Sequence, residues 1–248
     1  MKQILILLFC LAAVAAAQTT PASVTLTWLG QSTFVMSTST GLKALLDPTN
    51  PGAFKPAPVD GLDLVTITHE HPDHNYVKLA TGNPVIIRGL AAGEVAKIDQ
   101  TVKGVRIRTV ASFHDTQQGS QRGKNAIFVF EMPGIRVAHL GDLGHTLDAQ
   151  QISAIGPVDV VLISVGGGPT IDAKAALEVA GQLKSKIIVP MHTGIAGAAA
   201  AGPFKLGTVD DFLKVLDPAT KVVQAGHSMT ITAGKLPVER TVMVMKYE

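Results

Sequence analysis

Residues 68–74 read Thr-His-Glu-His-Pro-Asp-His, and they follow without a spacer on the apolar, β-branched run Leu64–Thr68. This arrangement constrains the fold more than any other, because a buried strand has to end where a dense set of metal-binding groups begins. Imidazole nitrogens suit divalent first-row metals, and carboxylate oxygens complete such sites. On extended backbone, alternate residues point to the same side, so His69 and His71 can reach one ion. Asp73 and His74, in the turn beyond, can reach a second. With this chain's own His and Asp frequencies, such a run arises by chance in roughly 4 of 10,000 chains.

A cluster of this kind needs ligands from elsewhere in the chain. Three polar residues directly follow other apolar strands: His114 after Val105–Ser112, Asp142 after Ile135–Leu140, and His192 after Lys186–Pro190. Such strand ends are where α/β proteins place their sites. Five of the eight His are then candidate ligands. His139 and His227 read as structural. His145 is open between a role beside the ligands and one as a proton donor. Asp47 reads as a partner that orients a ligand His, and Asp115 is a weaker candidate for the same task.

Strand patterns at 24–29, 32–36, 42–46, 64–68, 85–88, 105–112, 126–131, 135–140, 158–165 and 186–190 interleave with helical spacing at Asp172–Leu183 and Val209–Leu216. The last 28 residues read as strands with turns. Interleaving of this kind indicates α/β layering within one domain. Ile195–Gly202, rich in Ala and Gly, reads as a surface loop or as the wall of a pocket beside His192.

Lys2 precedes an uncharged apolar run, Ile4–Ala17, that ends in three alanines. This is the pattern of a secretory signal peptide, so residues 1–17 are expected to be removed and 18–248 to form the domain. The protein is then expected to be exported, periplasmic or secreted, without a stable membrane anchor and without its single Cys, Cys10. A net charge of +2 gives no footprint for nucleic acid, and 46% hydrophobic against 16% charged residues excludes a disordered chain.

The H-x-H-x-D-H run and the ordered His114, Asp142 and His192 resemble the metallo-β-lactamase-fold hydrolases. So do Trp28–Phe34, Leu46–Pro48, Arg122–Asn125, Ala138–His145, Ser164–Gly168 and Pro190–His192. The branch most similar holds ascorbate-6-phosphate lactonase-like and phospholipase D-like proteins. The resemblance implies a four-layer αβ/βα sandwich and two divalent ions, zinc first, with manganese or iron open. It implies that His69, His71 and His114 bind one ion, that Asp73, His74 and His192 bind the other, and that Asp142 bridges them. It further implies a hydroxide shared by the ions as nucleophile and Asp73 as proton acceptor.

The expected function is cleavage of an ester, lactone or phosphoester bond in a small-molecule substrate. A β-lactamase-type amide hydrolase, a non-catalytic metal-binding protein and a di-iron redox centre are the alternatives. The di-iron reading requires Glu70 to turn inward. Arg122, Lys124 and Lys205 are either anion contacts or solvated charges. The tyrosine used by related lactonases has no clear counterpart in Tyr76 or Tyr247.

Overall fold

The computed structural model describes residues 21–195 and 205–247. The expected signal segment and nearly all of the Ile195–Gly202 loop lie outside the described residues. Sixteen strands and three α-helices follow one another in the order β1 Ser23–Trp28, β2 Phe34–Thr38, β3 Lys43–Leu46, β4 Leu64–Ile67, β5 Val85–Arg88, β6 Leu90–Ala91, β7 Glu94–Val95, β8 Asp99–Val102, β9 Val105–Phe113, β10 Lys124–Met132, β11 Ile135–His139, α1 Ala149–Ile155, β12 Val160–Ser164, α2 Ala173–Gln182, β13 Ile187–Met191, α3 Val209–Leu213, β14 Lys221–Gly226, β15 Ser228–Thr232 and β16 Thr241–Met245.

They build a six-stranded sheet, β15-β1-β2-β3-β4-β5, and an eight-stranded sheet, β14-β16-β13-β12-β11-β10-β9-β8, with β6–β7 as a separate hairpin. The period of two in the strands explains the layering. Along β10, Ala126, Phe128, Phe130 and Met132 face the other sheet, while Ile127 and Val129 face the helices. Along β2 and β3, Phe34, Met36, Ala44 and Leu46 face the same central core, while Val35 and Leu45 face outward. Burying one Phe or Leu side chain in such a core contributes about 1.5–3 kcal/mol.

Helices α1, α2 and α3 pack on the outer face of the larger sheet. The outer face of the smaller sheet is covered more thinly, by the 3₁₀ turn Val77–Leu79 with Tyr76, Val59 and Leu62. The αβ/βα sandwich is therefore as expected, with one outer layer reduced to a turn and loops among the described residues.

Several elements depart from the sequence pattern, among them the strands β6, β7 and β8, which that pattern does not show. The second strand begins at Phe34, not Ser32, because Gly30 and Gln31 have φ of 95° and 50° and form a turn. The helix read at Val209–Leu216 ends at Leu213. Helix α1 was not legible at all; Asp148 and Gln151 start it by a reciprocal capping box.

Strands β3, β4 and β5 run parallel, as do β11, β12 and β13. Strand β9 shares the direction of β11, because both pair antiparallel with β10. The C-terminal ends of β3, β4, β9, β11 and β13 thus meet at one edge of the sandwich, and the chemistry-bearing residues follow those ends.

Candidate metal centre

Each candidate ligand leaves the end of a buried strand. His69 follows β4, His114 follows β9, Asp142 lies just past β11 and His192 follows β13. All four are buried, with His74 fully so, while His71 and Asp73 are partly exposed. Three groups of side chains come together with ligand atoms within 4.8 Å of one another: His69, His71, His114 and Asp142 in one, Asp73, His74 and His192 in another, and Asp47 with His69 and His74 in a third that joins them from behind. All seven residues read from the sequence are therefore in one cluster.

Asp142 sits at its middle. Its Oδ2 lies 3.1 Å from His114 Nε2, 3.2 Å from His192 Nε2, 3.3 Å from His74 Nε2 and 3.8 Å from His69 Nε2. Burial would push the Asp142 carboxyl up, but the surrounding imidazoles, His192 and His74 foremost, hold it well below the usual carboxylate range. Burial also lowers the affinity of His69 and His71 for protons. It works the same way on His74, where the Asp142 and Asp47 carboxylates outweigh it and favour the protonated ring.

Asp47 organises the cluster from behind. Its Oδ2 accepts His74 Nδ1–H at 2.8 Å and Thr68 Oγ1–H at 2.6 Å, while Oδ1 accepts Thr68 N–H at 2.8 Å. Thr68 Oγ1 in turn lies 3.0 Å from His69 Nδ1 and accepts its proton. His114 Nδ1–H donates to Pro169 O at 3.1 Å. These bonds occupy Nδ1 of three rings and aim each Nε2 inward, where on His74 a bound cation would take the place of a proton. His69 Nε2 and His71 Nδ1 also face each other at 3.0 Å, as the alternation of extended backbone requires.

The donor set fits a divalent cation. Buried His74 Nε2 and Asp142 Oδ1 make no hydrogen bond, a costly arrangement unless something else satisfies them. Three of the seven non-glycine residues with positive φ among the described residues lie here. Gln31, Asp47 and His192 have φ of 50°, 42° and 52°, a conformation that costs about 1–3 kcal/mol per residue and is held only by the surrounding structure. Gly141, with φ of 54°, is a place for glycine alone: a Cβ there would lie 2.4 Å from Asn125 Oδ1 and 2.6 Å from Thr68 Oγ1. Asn125 Oδ1 accepts Asp142 N–H at 3.0 Å, and Asn125 Nδ2 donates to Leu140 O at 2.9 Å.

Other candidates fall outside the cluster. His145 Nε2 accepts Phe113 N–H at 3.2 Å and Nδ1 donates to Thr146 O at 2.7 Å, so both nitrogens serve the loop. His139 Nε2 donates to Ser32 O at 2.9 Å, which ties β11 to the smaller sheet. His227 links β14 to β15, and its carbonyl accepts Trp28 N–H at 3.0 Å. Glu70 faces outward, where its Oε2 accepts Arg88 Nη1–H at 2.6 Å. Lys124 pairs with Glu94 of the β6–β7 hairpin. Tyr76 packs on the outer face of the smaller sheet, and the Tyr247 hydroxyl accepts Lys55 N–H at 2.7 Å. Asp115 accepts N–H groups from Gln117, Gly119, Gln121 and Arg122, shaping the loop after His114.

A cavity of about 920 Å³ lies at the opposite edge of the sandwich, lined in part by Arg106, Glu131, Arg136, Asp159 and Lys186. Its charges are paired, Arg136 and Arg106 with Glu131 and Lys186 with Asp159, so they hold the fold's far end together.

Comparison with known proteins agrees with this geometry. The profile of the beta-lactamase superfamily domain matches residues 25–192. A metal-dependent hydrolase of Lawsonia intracellularis is 29% identical over 225 residues, covering 80% of this chain and 94% of that protein. One from Archaeoglobus fulgidus is 31% identical over 192 residues, covering 67% and 82%. A solved Thermotoga maritima structure, assigned to the Zn-dependent hydrolases of the metallo-β-lactamase superfamily, superposes with a TM-score of 0.69 at 36% identity. It covers 91% of this chain and 100% of its own. The match over most of the described sandwich and the gathered His/Asp cluster lead to one family: the chain belongs to the metallo-β-lactamase superfamily and is a metal-dependent hydrolase.

Proposed function

We propose that the protein is a dinuclear hydrolase, with His69, His71 and His114 holding one divalent cation, Asp73, His74 and His192 the other, and Asp142 shared. The observation that carries this reading is Asp142 Oδ2, which lies within 3.8 Å of imidazole nitrogens from both groups. Zinc is the proposed metal, since imidazole and carboxylate ligands suit it.

When bound, such a pair of cations brings the pKa of water to about 7 and polarises the substrate's oxygen. The chain's own groups do the rest. Asp142 is buried and ionised, so it offsets the charge of the cations without exchanging protons. Asp73, with a side chain 39% exposed, is the carboxylate that reaches solvent. It accepts a proton from the attacking water and returns it to the leaving oxygen. Asp47 and Thr68 keep His69 and His74 in the ligand tautomer throughout. The proposed substrate is a small molecule with an ester, lactone or phosphoester bond.

Metal analysis of the wild type, His69→Ala and Asp142→Ala, with turnover on ester, lactone, phosphodiester, thioester and β-lactam substrates, tests this reading. Close to two equivalents of metal are expected in the wild type. Both variants should lose metal and at least about 100-fold in activity. Unaltered metal content and activity in both would overturn it.

We infer in addition that the protein is exported, on the charged start, apolar run and alanine-rich end of residues 1–17. N-terminal sequencing of the secreted protein should begin at Gln18; a retained Met1 would refute this.

A further inference from the structure

We propose that Gln31 is a positioning residue for the Asp73–His74–His192 group, the second metal site; this rests on the dinuclear reading above. Gln31 lies in the Trp28–Phe34 segment, but nothing local in that segment points to Asp73, 42 residues later. In the fold it touches two members of that group by two different routes. Its side-chain Nε2–H donates to Asp73 Oδ2 at 2.9 Å. Its carbonyl oxygen accepts His192 N–H at 3.2 Å.

Both contacts fall where the group most needs support. Asp73 Oδ2 is the oxygen that faces His74 Nε2 at 3.6 Å and His192 Nε2 at 3.9 Å. At 39% exposure Asp73 is the most exposed of the candidate carboxylates around the rings, and Asp142 and Asp47 are almost fully buried. His192 Nδ1 has no hydrogen-bond partner, so no side-chain bond through that nitrogen orients its ring. Its backbone, at φ 52°, has to be held from outside.

Gln31 can do this because its own turn is immobilised. The carbonyl that takes His192 N–H also accepts Trp28 Nε1–H at 3.0 Å. Trp28 stacks at a tilt on Phe54, with ring centroids 5.7 Å apart, and Phe54 meets Tyr247 edge-on at 4.9 Å. Gly30 seats the turn against the Phe54 ring, which a Cβ would reach at 2.2 Å. Gln31 is thus anchored at its main chain and extends an amide to the partly exposed carboxylate of the second group. None of its contacts involves His69, His71 or His114.

The test is zinc binding to the metal-free full chain, titrated against a competing chelator, for the wild type, Gln31→Ala and Gln31→Glu. The Glu variant keeps the size of the side chain, removes the N–H donor and sets a second carboxylate against Asp73. Both variants are expected to bind the first equivalent as the wild type does and the second about 10–100-fold more weakly. Thermal midpoints of the metal-free forms should be unchanged, which separates positioning from a loss of fold. Equal affinity for both equivalents in all three proteins would overturn the role of Gln31. So would parallel weakening of both sites, or a normal second site in Gln31→Glu alone. A wild type that binds a single equivalent would instead overturn the dinuclear reading, and this proposal with it.

Discussion

Asp47 Oδ2 accepts the Nδ1 proton of His74 at 2.8 Å, and both side chains are fully buried. The same oxygen takes Thr68 Oγ1–H, which links it to His69. One carboxylate therefore sets the tautomer of a ring in each metal group. Asp47→Ala is expected to weaken both metal equivalents by about 10–100-fold. This differs from substitution of Gln31, which should affect one. Chelator competition on the two variants side by side checks the contrast.

Glu70 separates the dinuclear hydrolase from a di-iron centre. Its carboxylate is bound to Arg88 and to Asn75 Nδ2 at 3.1 Å, on the side away from the rings. Both members of the Glu70–Arg88 pair are more than 40% exposed, which makes the pair worth about 0–1 kcal/mol. Glu70→Gln is expected to keep full metal content and near wild-type stability. Loss of one metal equivalent in elemental analysis would make Glu70 a ligand and revive the redox reading.

The loop after His114 carries a pH dependence of its own. Burial would raise the Asp115 pKa, but the N–H groups of Arg122, Gly119, Gln117 and Gln121 hold it at about 2, against an ordinary 3.8. A carboxylate with a depressed folded-state pKa stabilises the fold above its unfolded value. That stabilisation is lost as pH falls toward the folded value. Asp115→Asn should therefore cost about 2–3 kcal/mol at neutral pH. The gap to the wild type should close between pH 4 and pH 2, in urea unfolding of the metal-free proteins. A gap that stays constant over that range would rule out this role.

Gly141→Ala places a methyl group against Asn125 and Thr68 at a left-handed backbone position. Strain and overpacking together should lower stability by about 2–4 kcal/mol. The substitution should also displace Asp142, whose N–H depends on Asn125. A melting curve and metal analysis on one sample distinguish the two effects. A stable variant with full metal content would show that Asn125 and Thr68 can yield.

The candidate ligands were legible because each follows a buried strand closely or belongs to the dense H-x-H-x-D-H run after one, which is a local pattern. Thr68, Asn125 and Gln31 were not assigned a role, because their partners lie far away in sequence or are reached only through the sheet packing. Pro169 was out of reach for another reason: it acts through its carbonyl oxygen, which no side chain announces. The α2 helix showed its apolar face at the right spacing and begins one residue after its capping Asp172. Helix α1, with two adjacent glutamines in seven residues, has too weak a stripe to read. Strands of two residues, such as those of the β6–β7 hairpin, leave no period to detect.

The candidate ligands come from both sheets: His69, His71, Asp73 and His74 from the end of β4, and His114, Asp142 and His192 from β9, β11 and β13. Ligand spacing is therefore a gauge of how thick the sandwich is. Packed sheets stand about 10 Å apart, and that separation is set by side chains such as Phe128, Phe34 and Leu162. A core substitution remote from the edge would widen or narrow the mouth without touching a ligand. In this architecture the interior that secures the fold also calibrates the chemistry, and variation that spares the core is free to reshape the surrounding loops.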